Sequence, residues 1–445
     1  MGAKDSGGGE VARRQTVLES GVRVVSERLG GMRSCAVGFF VAAGSIYEAP
    51  AEAGISHLLE HLLFRGTANY SSAEVDQLFD ELGSTANAET DKEYMLLSCR
   101  VLDTHLARAV PLMAEMVFAP TLQEVDAERA VILQELASYE DEPQELVFDR
   151  FATALFGDHP LGRPVIGSRE TLRGLDREAV LRYHRRTYLP QRLVVAAAGA
   201  VDHDRLVELL AGELERLGVG DRREGPAAPP PPPLRRPVAR FLTKPTEQYH
   251  LCIGAPGLTR DDPRRFALRV LEVILGATPS SRLFQEVRER RGLAYSVYTF
   301  SALYQTAGEV GVYLATGGEQ LAEAVRVVVE ELTRLASEPP EAAELARAKE
   351  CAKSATVLAL ESSAARMGRL GSATLFGTKL LSLDEIIAAL EGVEATEVQR
   401  LAGELLDPRR LSVAAIGPQR KHLLAALVPL AAAGARLEEL SSSAG

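Results

Sequence analysis

The stretch Pro190-Gln191-Arg192-Leu193-Val194-Val195-Ala196-Ala197-Ala198-Gly199 returns 218 residues later as Pro408-Arg409-Arg410-Leu411-Ser412-Val413-Ala414-Ala415-Ile416-Gly417. Each copy opens on a proline, runs through an apolar segment of buried-strand character and closes on glycine. At the same offset Val180 and Arg182 fall on Val398 and Arg400, so the helical segment ahead of each strand is repeated as well. The chain is therefore expected to hold a duplicated domain of about 200 residues. Between the copies, five prolines run from Pro229 to Pro233; such a stretch forms an extended, semi-rigid linker rather than core. The expected division is a disordered leader over 1–16, a first domain over 17–218, a linker over 219–237, a second domain over 238–432 and a flexible tail over 433–445.

Within each copy, strands and helices alternate irregularly and strands come in adjacent pairs. Val22–Glu27 and Ser34–Ala43 read as strands, as do Thr85–Glu89 and Glu93–Val101. Ser71-Ser72-Ala73-Glu74 and Thr121-Leu122-Gln123-Glu124 have the form of capping boxes, opening helices to about Leu82 and Tyr139. Helices near Gln144–Leu155 and Arg177–Thr187 precede the repeated strand, and the second copy adds helices at Arg264–Leu275 and Ser280–Arg290. This is an α+β design: two homologous domains, each a mixed, largely antiparallel sheet with helices packed on one face.

One segment commits to chemistry. Gly54-Ile55-Ser56-His57-Leu58-Leu59-Glu60-His61-Leu62-Leu63-Phe64-Arg65-Gly66-Thr67 has no proline or glycine between Ile55 and Arg65 and reads as one helix. His57 and His61, four residues apart, leave the same face one turn above the other, with Glu60 beside them. Two imidazoles so placed suit a zinc ion at about 2.0–2.1 Å, and the carboxylate between them can take a proton from a bound water. The order His-x-x-Glu-His inverts the commoner zinc-protease pattern. The bland alternative is a packed helix, in which Leu58, Leu59, Leu62, Leu63 and Phe64 form a core face and the histidines are incidental. A catalytic zinc needs a third protein ligand. Glu128 and Glu135, two turns apart on the predicted 124–139 helix, offer carboxylates on one face; by spacing alone they serve equally well as a solvated acidic surface. His105, His159, His184, His203, His250 and His422 are read as structural.

The net charge of −11 gives a nucleic-acid role no electrostatic support. No apolar run reaches the ~18 residues of a membrane span. The four cysteines lie far apart without a CxxC pair, as expected for reduced thiols in a cytoplasmic chain.

With these segments in hand, the chain from about residue 16 to 430 resembles the pitrilysin/insulysin group of zinc metallopeptidases (peptidase family M16), and within it the two-domain branch that includes mitochondrial processing peptidase. The resemblance implies that His57, His61 and Glu135 are the metal ligands, Glu60 the general base, and Glu128 a carboxylate orienting the ligand set. Gly83-Ser84-Thr85-Ala86-Asn87-Ala88-Glu89-Thr90 is similar to the family's edge strand, which pairs with bound peptide through its main chain, Asn87 and Ala88 falling on the substrate-binding positions; a plain hairpin edge is the alternative. Ser281 to Tyr295 resembles the segment whose Arg and Tyr, here Arg288 and Tyr295, hold the substrate carbonyl; Arg288 also reads as one member of a basic run with Arg290 and Arg291. The implied activity is zinc-dependent endopeptidase cleavage of unfolded or short peptides, with one Zn2+ per chain, in a chamber closed by a homodimer or by a heterodimer with a related subunit. The competing classes are a non-catalytic peptide-binding or partner subunit and a small-molecule hydrolase using the same zinc. No nucleic-acid or membrane partner is expected.

Overall fold

The computed structural model describes residues 12–220, 225–433 and 438–439. The first sheet comprises β1 (Ala12–Val17), β2 (Arg23–Arg28), β3 (Ser34–Val41), β4 (Asn87–Thr90), β5 (Met95–Leu102) and β6 (Leu193–Gly199), in the order β1-β2-β6-β3-β5-β4. The second comprises β7 (Val238–Thr243), β8 (Tyr249–Pro256), β9 (Ala294–Leu303), β10 (Gly308–Thr316), β11 (Ser412–Gly417) and β12 (Glu438–Glu439), in the order β12-β7-β11-β8-β10-β9. The orders superpose strand for strand. β2 with β6 and β7 with β11 are the parallel pairs at equivalent places, and the strands from β6 to β4 and from β11 to β9 pair antiparallel throughout. The repeated segment supplies the same element twice: a 3₁₀ turn at Pro190–Arg192 or Pro408–Arg410, then the buried central strand β6 or β11. The outer edges differ, since β1 runs antiparallel to β2 and β12 parallel to β7.

The α+β class stands, with three departures from the expected layout. First, the leader expected over 1–16 contains β1, paired with β2 from Ala12↔Arg28 to Val17↔Arg23; the rest of that leader, residues 1–11, lies outside the described residues. Of the expected tail over 433–445, Ala433 and the β12 pair Glu438–Glu439 are described.

Second, the compact units do not follow the linker. The first takes the described residues up to Leu136, Pro164–Pro229 and Leu358–Leu380; the second takes Ala137–Arg163, Pro230–Val357 and the described residues from Leu381 onward. The reason is an exchange of helices. Pro143–Phe156 packs on β11, β8 and β7, while Ser363–Phe376 packs on β6, β3 and β2.

Third, the sheet face opposite the main helices is therefore covered too. Along β6, Leu193, Val195 and Ala197 enter the main core of the first unit, while Val194, Ala196 and Ala198 meet Met367 and Leu370 of the exchanged helix. A strand buried on both faces has to be apolar at every position, which is what the unbroken run Leu193–Ala198 encodes. Two glycines permit the close approach: a Cβ at Gly38 would lie 2.4 Å from Met367 Sδ, and one at Gly371 would lie 2.0 Å from Phe40.

Candidate metal centre

The helix Ile55–Leu63 buries Ile55, Ser56, Leu58, Leu59, Leu62 and Leu63 in the first core, leaving His57, Glu60 and His61 on its remaining stripe. Its entry is held by Glu48, a buried carboxylate that accepts the backbone N–H groups of Gly54 at 3.0 Å and Ser56 at 2.9 Å. Negative charge at a helix N-terminus complements the unpaired donors there. Gly54 takes φ 93°, and a Cβ on it would sit 2.7 Å from the Ile166 carbonyl, so the turn requires glycine. The Ser56 hydroxyl then bonds Tyr183 Oη at 2.7 Å, and Tyr183 donates to the Ala43 carbonyl at 3.0 Å.

The helix exit sets the second half of the site. After the C-cap Phe64, the backbone pairs with residues 119–121: Ala68 N–H donates to Ala119, and Thr121 N–H to Gly66, each at 3.0 Å, around a Thr67↔Pro120 bridge. Thr121 does not act as the expected helix cap. Its hydroxyl donates back to the Arg65 and Gly66 carbonyls at 3.3 and 3.4 Å, and the helix that follows spans Val125–Asp141. The two helices are thus joined through their adjoining ends.

This arrangement brings the sequence-predicted ligands together. His57 Nε2 lies 3.7 Å from Glu135 Oε1, and His61 Nε2 lies 3.7 Å from Glu135 Oε2. One donor atom from each residue falls within 4.8 Å of the other two. A tetrahedral zinc with bonds of about 2.0–2.1 Å separates its ligand atoms by about 3.4 Å, so a small closure would fill the cluster. Burial, with the nearby His61, pushes the His57 imidazole down to about 4. It is neutral at pH 7, as a ligand must be, and its contact with Glu135 is no ion pair at that pH. His61 Nδ1 lies 3.2 Å from Glu128 Oε2, which leaves Nε2 facing Glu135. The donor set, with one imidazole oriented through its second nitrogen, fits zinc.

Spacing alone could not decide between Glu128 and Glu135. The structure separates their surroundings: Glu128, 3% exposed, contacts His61 and Arg65, while Glu135, exposed, sets one oxygen near each of His57 and His61. Glu60 stands half-buried beside the ligands. Burial raises its carboxyl above the ordinary range, Glu135 and Glu89 add to this, and the Thr90 hydroxyl and His61 oppose it. β4 lies against the metal helix and forms the sheet edge, with Asn87 opposite Ser98 and Ala88 opposite Leu97 on its one paired side. Its side chains alternate outward and inward, Asn87 exposed and Ala88 half-buried.

Arg288 and Tyr295 belong to the second unit and meet each other there. The guanidinium lies 4.2 Å from the Tyr295 ring centroid and 4.7 Å from that of Phe284, and Nη1 donates to the Tyr295 carbonyl at 3.1 Å. Arg290 and Arg291 both pair with Glu286 instead, which separates Arg288 from the basic run. The helix expected over Ser280–Arg290 becomes a π-turn at Phe284–Glu289, with Arg290 N–H bonded to the Gln285 carbonyl at 2.9 Å. Such turns recur at functional sites.

Each of the six remaining histidines has a structural partner: His105 the Leu82 carbonyl, His159 that of Pro230, His184 that of Val117, His203 the Ser26 and Thr16 hydroxyls, His250 Tyr313, and His422 Tyr249. Sequence reasoning missed Glu48 and Arg65, and their only trace was an acidic residue just ahead of the helix and a basic one just after it.

The fold and the cluster define a class, and comparison with known proteins agrees. Residues 23–169 match the family described as Insulinase (Peptidase family M16), and residues 174–350 match the one described as Peptidase M16 inactive domain. The chain belongs to peptidase family M16. It is 40% identical to an uncharacterized zinc protease of Streptomyces coelicolor, over 91% of this chain and 89% of that one. It is also 40% identical to one of Mycobacterium tuberculosis, over 92% and 94%, and 37% identical to one of Bacillus subtilis, over 88% and 95%. Among solved structures, a protease from Helicobacter pylori superposes with a TM-score of 0.86 at 22% identity, covering 92% of this chain and 100% of that one. No helix among the described residues is long and apolar enough to cross a membrane.

Proposed function

We propose that this chain is a zinc-dependent endopeptidase, holding one zinc ion per chain and cutting unfolded or short peptides. The observation that carries the reading is the convergence of His57, His61 and Glu135 within 4.8 Å, with Glu60 on the same helix face. A zinc ion held there supplies Lewis-acid polarisation of the scissile carbonyl and activation of a water. Glu60 takes the proton of the attacking water and returns it to the leaving amine; its raised carboxyl suits both halves of that exchange. β4 presents an open edge through Asn87 and Ala88, on which an extended peptide can add as a further strand irrespective of its sequence. Arg288 and Tyr295 provide donors for the carbonyl oxygen as it gains charge.

One chain carries both the metal set and the Arg–Tyr pair, and we read the working assembly as a homodimer in which each protomer's Arg288 and Tyr295 serve its partner's metal centre. A chamber closed in this way admits only substrates that can enter unfolded. The thiols are free, and Cys35, Cys99 and Cys252 are buried, which suits a reducing, cytoplasmic setting.

Glu60→Gln tests the reading. The isosteric amide cannot accept the proton, so cleavage of a mixed peptide library, followed by mass spectrometry, is expected to fall by at least about 100-fold with zinc content unchanged. Undiminished cleavage by zinc-loaded Glu60→Gln would remove Glu60 from this role.

A further inference from the structure

We propose that Arg65 is a positioning residue of the metal centre, which acts by holding Glu128 against His61 and so fixes which nitrogen of His61 is turned to the metal. The inference rests on the zinc-site reading above and concerns a residue with no assigned role in it.

Glu128 is nearly fully buried, with its side chain 3% exposed. A buried carboxylate without a counter-charge carries a desolvation penalty of several kcal/mol. Its two oxygens divide the work: Oε1 lies 2.6 Å from Arg65 Nε, and Oε2 lies 3.2 Å from His61 Nδ1. Arg65 thus sets its positive charge beside the oxygen that His61 does not use, as an ion pair rather than a directed N–H bond, and that charge makes the burial tolerable. With Nδ1 of His61 held at Oε2, its Nε2 is turned toward Glu135. The backbone makes the placement firm. Arg65 directly follows the C-cap of the metal helix, its carbonyl accepts from the Thr121 hydroxyl at 3.3 Å, and Thr121 N–H donates to Gly66 at 3.0 Å. Four residues after Thr121 the Glu128 helix begins. A closed circuit results: His61, the end of its helix, Arg65, Glu128, and back to His61. Cutting it at Arg65 leaves every ligand in place but releases the group that orients one of them.

The test is the zinc dissociation constant of the metal-free protein, measured by competition with a chromophoric chelator. Groups that orient a metal ligand typically contribute about 10–100-fold in affinity. Arg65→Gln is expected to weaken zinc by that order, and Glu128→Gln similarly. The double variant should be no weaker than Glu128→Gln alone, because Arg65 has nothing left to position. Arg65→Lys, which keeps the charge, should recover most of the loss. Far-UV circular dichroism of each metal-free variant checks the fold. Should Arg65→Gln fail to fold, Arg65→Met and Arg65→Lys are compared for zinc affinity, the first expected about 10–100-fold weaker and the second near wild type. Wild-type affinity in folded Arg65→Gln or Arg65→Met, or full additivity of the Arg65 and Glu128 substitutions, would each overturn the proposal. None of these readouts uses peptide cleavage. Wild-type protein that binds zinc but cuts no peptide would defeat the proposed function and leave this inference standing.

Discussion

Glu48 is the place where the structure makes the strongest numerical claim about the metal helix. Its carboxylate accepts from Gly54 and Ser56, both buried, and is itself 4% exposed. Hydrogen bonds to charged groups contribute about 1.5–3 kcal/mol each. Glu48→Ala removes both and leaves two buried N–H groups without acceptors, so the first unit should lose about 3–6 kcal/mol, a large share of the ~5–15 kcal/mol typical of a domain. Glu48→Gln keeps one acceptor oxygen but sets an amide N–H2 toward the other donor, and it gives up the charge at the helix N-terminus; about half that loss is expected. The chain has no tryptophan, so urea unfolding of the metal-free protein is followed by far-UV circular dichroism and by tyrosine absorbance. The order wild type, Gln, Ala should appear in the transition of the first unit alone. Because Ser56 adjoins His57, zinc affinity should fall in the same order. A Glu48→Ala protein within about 1 kcal/mol of wild type would mean that water reaches those donors, contrary to their burial.

Acid should destabilise the metal-free protein through His184. Burial pushes this imidazole from 6.5 down to about 4, while its Nε2–H donates to the Val117 carbonyl at 2.8 Å. The folded state keeps it neutral and the unfolded state protonates it, so its contribution is fully present above pH 6.5 and is lost as pH falls toward 4. At about 1.36 kcal/mol per pH unit this amounts to about 3 kcal/mol. Unfolding midpoints of wild type and His184→Gln, which retains an N–H donor, should converge with falling pH across that window; parallel curves would refute the assignment. For the dimer, a mixture of inactive Glu60→Gln and inactive Arg288→Ala chains should regain peptide cleavage after subunit exchange, and the absence of rescue in freely exchanging dimers would argue against completion across the interface.

Residue patterns disclosed what is local, and the more distant site residues were named only through the family resemblance. His57, Glu60 and His61 were legible because one helical turn suffices to align them. Spacing did not separate Glu135 from Glu128, since both lie on the same helix stripe; the family resemblance chose Glu135, and the folded chain brings that carboxylate near both imidazoles. β1 escaped notice because Arg13, Arg14, Gln15 and Val17 are exposed on an edge strand, with no apolar alternation to betray it. Of the exchanged helices, the one near Gln144–Leu155 was recognised and the one at Ser363–Phe376 was not delimited; in either case an amphipathic pattern says that a face is buried and not which sheet buries it. The π-turn was hidden for a related reason: Leu283 and Val287, both fully buried, keep an ordinary four-residue spacing.

The duplication leaves the candidate metal donors in one half. The two sheets have the same strand order, but the second copy lacks the donor residues of the first. At the 218-residue offset, Glu128 and Glu135 fall on Ala346 and Lys353 in the corresponding helix Ala342–Ala359. Lys353 puts a cation at the position that matches Glu135, and it is ion-paired with Glu350 at 2.7 Å and Glu391 at 3.3 Å. The helix Arg265–Leu275 has no histidine; its open positions are held by Arg265, Phe266 and Arg269. A single carboxylate restored at 353 would stand without imidazoles. The second copy therefore cannot regain a metal centre by any one substitution. What it holds at its own sheet edge is the π-turn and the exposed Tyr295 at the start of β9, so the proposed roles fall to different copies: the metal donors to the first and the Arg288–Tyr295 pair to the second.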